Sequence, residues 1–180
     1  MSEKRYIGIC GSLRRASRNM GLLRCAQEAM PAGASLEIAD ITQFPFYSED
    51  VEKPDCVKAL IEKVKEADGL VLAVPEYNYS VAPALKNALD WLSREPGMIL
   101  AGKPTAIMGA GGGMGTARAQ YHLRQTAVYL DLRALNKPEV FANAYSPAFI
   151  ENGSVADTPE GQTVRNNVTK LMNALCEQTA

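Results

Sequence analysis

The chain has few residues of the kinds that staple a fold, hold a metal or enter a membrane. Its four cysteines, Cys10, Cys25, Cys56 and Cys176, are widely scattered and form no CxxC pair. That spacing suits neither a disulfide framework nor a zinc site, and it reads as reduced structural thiols. The single histidine, His122, lies inside a helical stretch, and no GxSxG elbow occurs, which argues against a Ser-His-Asp hydrolase or a histidine-rich metal site. A formal net charge of -1 leaves no electrostatic footprint for nucleic acid or an anionic membrane. The apolar run from Leu70 to Val74 is too short to span a bilayer, and Met1 to Arg5 lacks the features of a signal peptide. A soluble cytoplasmic protein is expected, with no nucleic-acid partner and no membrane insertion. Its 180 residues suit a single domain over 1–180.

What is present alternates regularly. Tyr6 to Cys10 is rich in β-formers and stops at Gly11-Ser12; Asn19 to Met30 then carries apolar residues at helical spacing up to Pro31. Leu36 to Ala39 alternates like a strand, Phe44 to Pro54 reads as loop, and Val57 to Ala67 reads as a helix ended by Gly69. Leu70 to Val74 has no polar alternation, as expected of a central parallel strand covered on both faces. A helix over Pro83 to Ser93, a strand over Pro104 to Met108 and a helix over Thr116 to Leu130 follow. A fifth strand lies between Leu132 and Ala142, and Pro159 to Cys176 forms the last helix. Strand and helix repeated in this way imply an α/β protein with a parallel sheet and helices on both faces. Ligands of such sheets bind beyond the carboxyl ends of the strands. Chemistry is therefore expected in the loops after strands one, three and four.

The first of these loops, Gly11 to Asn19, places hydroxyls, an amide and guanidiniums between a strand and a helix start. Unpaired N–H groups and the helix dipole favour an anion there. Ser12 and Ser17 can donate to phosphate oxygens, Arg14 can bind one bidentately, and Asn19 can reach a ligand or cap the helix. One cap, Ser17 or Asn19, suffices for a helix, so capping alone leaves Ser12 and Arg14 unexplained. GxxxxGK[ST] and GxGxxG are both absent, so neither a Walker loop nor a dinucleotide fingerprint is present. Hydroxyls with an arginine suit a terminal monophosphate, such as the one FMN carries. After strand three, Pro75, Glu76, Tyr77 and Asn78 offer backbone groups, an aromatic wall and an amide to a flat ring. After strand four, Gly109 to Gly115 includes Gly111 and Gly112, where missing side chains allow backbone to approach a ring face.

At these loops the chain resembles the NADPH-dependent FMN reductase family of flavodoxin-like proteins, especially its bacterial quinone and chromate reductase branch. The matching stretches are Gly11 to Arg14 with Ser17 and Asn19, then Pro75 to Ser80 with Leu85 to Trp91, then Arg118 to Gln125 with Asn136 to Glu139. The resemblance implies a flavodoxin-like three-layer sandwich with a five-stranded parallel sheet in order 2-1-3-4-5. It also implies non-covalent FMN, with phosphate on Ser12, Arg14, Ser17 and Asn19 and the ring against Pro75, Glu76, Tyr77, Asn78, Gly111 and Gly112. NADPH or NADH would supply electrons and a quinone would take them, with chromate, azo or nitro compounds as further acceptors. A homodimer or homotetramer is implied, with Arg118, Tyr121 and Glu139 as interface candidates. Relatives carry serines where this chain has Gly109-Ala110-Gly111-Gly112, so a hydroxyl near the flavin is missing here. Two other readings remain: a flavodoxin-like electron carrier or FMN-binding module without nicotinamide turnover, and a nucleotide- or phosphosugar-binding enzyme using the first loop alone.

Overall fold

Along β1 (Lys4–Cys10) side chains alternate across the sheet: Ile7 and Ile9 enter one apolar layer, Tyr6 and Cys10 the other. The computed structural model describes residues 3–179. The chain continues through α1 (Arg18–Glu28), β2 (Ala34–Ala39), α2 (Asp55–Glu66) and β3 (Gly69–Ala73). A short pair, β4 (Glu76–Tyr77) and β5 (Ser80–Val81), precedes α3 (Pro83–Ser93). After β6 (Pro104–Gly111) come α4 (Ala117–Tyr129), β7 (Arg133–Ala134), β8 (Val140–Asn143) and α5 (Pro159–Glu177).

The main sheet runs β2-β1-β3-β6-β7, with β8 also paired to β6, and all its pairings are parallel. Every residue of β3 is buried, because both faces of this central strand are covered. Leu70 and Leu72 pack with α2, α3 and α4 through Leu60, Ile61, Leu85, Leu89 and Leu123. Val71 and Ala73 pack on the opposite side with Leu22 and Leu23 of α1 and Leu171 and Met172 of α5. This is the doubly wound, flavodoxin-like arrangement in the expected order.

Two details differ from the sequence expectation. The fifth strand is broken into β7 and β8, which occupy the same edge of β6 at Pro104–Thr105 and Met108–Gly111. Asn136, Lys137 and Pro138 lie in the gap, and a proline there has no N–H to give to the ladder. The loop after β3 folds into an antiparallel hairpin, pairing Glu76 with Val81 and Tyr77 with Ser80. Its turn residues Asn78 and Tyr79 take φ of 51° and 65°, the left-handed pair that tight two-residue hairpins require. β6 also runs beyond Met108 into the glycine cluster, where β8 gives it a partner.

The start of α1 is held by a backbone crossing. A Cβ on Gly21 would lie 2.0 Å from the carbonyl oxygen of Gly153, and one on Gly153 2.7 Å from that of Ser17. Only glycine at both places lets the 149–155 segment seat against the loop that opens α1. Among the described residues, no helix is long and apolar enough to cross a membrane. Gly21→Ala must push backbone from backbone and is expected to lower stability by roughly 1–3 kcal/mol, read as a lower urea midpoint at unchanged m-value.

Candidate functional site

The three loops expected to carry chemistry converge at the carboxyl end of β1, β3 and β6. Gly11 follows β1 and donates its N–H to Ala73 O at 2.9 Å, which keeps the loop against the end of β3. A Cβ there would meet Pro75 at 2.7 Å, so the first and second loops touch. The chain then turns through Ser12, whose Oγ accepts from the Arg14 N–H at 3.4 Å.

Ser17 is the N-cap of α1: it is extended, buried, and its Oγ accepts from the Met20 N–H at 3.2 Å. The N–H groups of Arg18 and Asn19, the first two of the helix, have no intrahelical acceptor. Asn19 is buried and spends its amide on another strand. Its Nδ2 donates to Ala110 O at 2.9 Å and its Oδ1 accepts from Ala110 N at 2.9 Å. One Nδ2 hydrogen and the backbone N–H are what Asn19 retains for a ligand. Beneath the loop, the Cys10 thiol lies 3.9 Å from Ser17 Oγ, and burial pushes its pKa up. It is a packed thiol, not a nucleophile.

These loops frame an open cleft of about 190 Å³. Ser12, Arg14, Ser17 and Asn19 line one end; Pro75, Glu76 and Tyr77 line a second side; Gly111 and Gly112 line a third. Asn78 is the one candidate outside that lining, because it forms the hairpin turn. Five residues outside the candidate set also line the cleft: Ala16 and Arg18 of the first loop, Ala110 of the glycine loop, and Ala144 and Tyr145. Arg18 belongs to the same basic run, and its position at the helix start was a usable signal. Ala144 and Tyr145 follow β8 and had none, since they reach the cleft only because Ala144 N donates to Gly111 O at 2.7 Å.

The charge balance of the first loop is one-sided. Among the described residues, Arg14, Arg15 and Arg18 form no ion pair. The Nε of Arg18 is buried without a hydrogen-bond partner, a cost that an anion beside the guanidinium offsets. Across the cleft the glycines divide by role. A Cβ on Gly111 would strike Gly115 O at 2.2 Å, whereas one on Gly112 or Gly113 would meet nothing within 4 Å. Gly111 is required by the loop's own turn; Gly112 and Gly113 leave the space beside it open. A polar, cationic end joined to an open, side-chain-free wall fits a molecule with an anionic tail and a flat head.

The interface candidates lie along α4 and before β8. Tyr121 donates to Glu139 Oε1 at 3.2 Å, and Lys137 also pairs with Glu139. Arg118 is engaged within the chain, 3.4 Å from Glu76 and stacked 4.0 Å from the Tyr79 ring centroid.

A doubly wound parallel sheet whose three carboxyl-end loops meet around one cleft describes a flavodoxin-like protein. The family model for NADPH-dependent FMN reductase matches residues 5–146, and the chain belongs to that family. It is 46% identical to an NAD(P)H-dependent FMN reductase of Pseudomonas aeruginosa over 93% of this chain and 92% of that one. It is 44% identical to the quinone reductase of Escherichia coli K12 over 87% and 88% of the two chains. The flavoenzyme NAD(P)H:(acceptor) oxidoreductase FerB of Paracoccus denitrificans superposes with a TM-score of 0.84. The two are 27% identical over 97% of this chain and 98% of FerB.

The Asn19–Ala110 pairing yields a stability prediction. Asn19→Leu keeps the volume but leaves a buried N–H and a buried carbonyl of Ala110 without partners. Each costs about 1–3 kcal/mol. Urea unfolding of the flavin-free protein is expected to register this loss; if Asn19 served only a ligand, that curve would not move.

Proposed function

We propose that this chain, as one domain over residues 1–180, is an FMN-dependent NAD(P)H oxidoreductase that passes electrons to quinones. The observation that carries the reading is the convergence of an unpaired cationic loop and a glycine wall on one cleft. Ser12, Arg14, the cap of Ser17 and the free N–H groups of Arg18 and Asn19 hold the terminal phosphate of FMN. Arg18 adds a second guanidinium. Pro75, Glu76 and Tyr77 form one wall for the ring and Gly111 and Gly112 the other. Family membership and the names of the relatives support this assignment.

FMN, when bound, supplies the two-electron chemistry by which a nicotinamide donor reduces it and an acceptor reoxidises it. The chain's own residues bind and orient. The first loop would anchor the phosphate end, and the two walls would orient the ring in the open cleft between them. The open space beside Gly112 and Gly113 leaves room at a ring edge for donor and acceptor in turn. Among the described residues no His, Cys, Asp or Glu cluster could hold a metal. Proton delivery is left to solvent at the open cleft. Chromate, azo and nitro compounds are further acceptors that such an exposed site can admit. Association into a dimer or tetramer would use the face that carries Tyr121 and Glu139, with Arg118 at its edge.

Two measurements test the reading. The purified protein loaded with FMN is expected to lose its flavin absorbance on anaerobic addition of NADPH or NADH and to recover it with a soluble quinone. Retention of colour with both nicotinamides would leave an electron carrier instead. Arg14→Ala is expected to weaken FMN binding by roughly 1.5–3 kcal/mol, the range for a hydrogen bond to a charged group. Riboflavin binding should be unchanged; equal weakening of the two flavins would place the phosphate elsewhere.

A further inference from the structure

α4 begins without a cap of its own. Thr116, its N-cap residue, makes no capping bond, and no acidic residue occupies its first turn. The Thr116 hydroxyl is buried and accepts from Gln120 Nε2 at 3.0 Å. The Ala117 N–H reaches Met114 O at 3.3 Å, which leaves the N–H groups of Arg118 and Ala119 in need of an acceptor from elsewhere. Glu76, 43 residues away in the hairpin, provides it: its Oε2 accepts from the Ala119 N–H at 3.1 Å. Its Oε1 lies 3.4 Å from Arg118 Nη1, and the carboxylate is only 12% exposed. A carboxylate at this end of a helix also meets the favourable end of the dipole.

The contact is made from both sides. Arg118, in the first turn of α4, stacks over Tyr79 of the hairpin turn at 4.0 Å. Pro75 to Tyr77 form one wall of the cleft, and the glycine loop that runs directly into α4 forms the opposite one. The Glu76 side chain thus ties one wall to the helix that anchors the other, and its carboxylate is spent on that task rather than on a ligand. We infer that Glu76 is a positioning residue whose carboxylate, by capping α4 from the hairpin, sets the spacing between the two ring walls. The inference rests on the flavin reading given above and adds to it a role for a side chain that touches no reacting atom.

A wall-spacing role has a signature that a phosphate contact lacks: it acts on the ring, which FMN and riboflavin share. Binding of both flavins to the flavin-free protein is measured by fluorescence quenching for wild type, Glu76→Ala and Glu76→Gln, alongside the visible circular dichroism of the bound flavin. Loss of a cap contact of typical strength predicts that Glu76→Ala weakens FMN and riboflavin by the same factor, about tenfold. The visible dichroism of the bound flavin changes with it. Glu76→Gln keeps an oxygen for the Ala119 N–H and is expected to recover affinity to within about threefold of wild type. Should Glu76→Ala not fold, Glu76→Asp, one methylene too short for the same reach, replaces it with the same expectation. Unchanged affinities, loss confined to FMN, or a glutamine variant as impaired as the alanine one would overturn the role of Glu76. A wild-type protein that binds neither flavin would instead overturn the flavin reading itself.

Discussion

The reciprocal pairing of the Asn19 amide with the backbone of Ala110 is the constraint on which the cleft depends. It joins the first turn of α1 to the last residues of β6, two elements that are separated in the chain by 91 residues. An amide is the one short side chain that can both donate and accept along a single backbone edge. Because both partners are buried, the pairing is costly to break and holds the loop that opens α1 at a set distance from the glycine loop. The Gly21–Gly153 crossing performs a related task from outside, since a side chain at either place would push the cradle away from its support.

The cleft then follows from unequal satisfaction of its groups. On the wall side the charged groups are already paired: the Glu76 carboxylate meets the Ala119 N–H and Arg118. On the side of the first loop, the guanidiniums of Arg14, Arg15 and Arg18 meet no carboxylate among the described residues. Unpaired guanidiniums beside a braced wall are an arrangement that can meet an anion without reorganising. The same division accounts for the position of Cys10, whose thiol is kept protonated by burial and serves as packing beneath the loop.

Much of this was legible before any coordinates, and the exceptions have physical causes. α3 reads at its true ends because Pro83 sits at the first helical position and Leu85, Ala88, Leu89 and Leu92 mark one stripe. β3 reads from its unbroken apolar run. The edge formed by β7 and β8 does not, because two- and four-residue pieces carry too little pattern. The β4–β5 hairpin was hidden because its turn uses Asn78 and Tyr79 rather than glycine. In the first loop, the residue types pointed to an anion, but the division of labour between Ser17 as cap and Asn19 as brace required the tertiary fold. The destination of the Glu76 carboxylate, and the arrival of Ala144 and Tyr145, depend on strand order and leave no local trace.

The open space beside Gly112 and Gly113 has an evolutionary reading. A new side chain at either place would project into solvent or toward whatever occupies the cleft, without disturbing the scaffold. Hydroxyls or larger groups can therefore be gained and lost there at little folding cost, while neighbouring Gly111 is locked by the carbonyl of Gly115. Variation at these two places is in this way uncoupled from the stability of the sheet, and this loop can change its side chains without asking the fold to move.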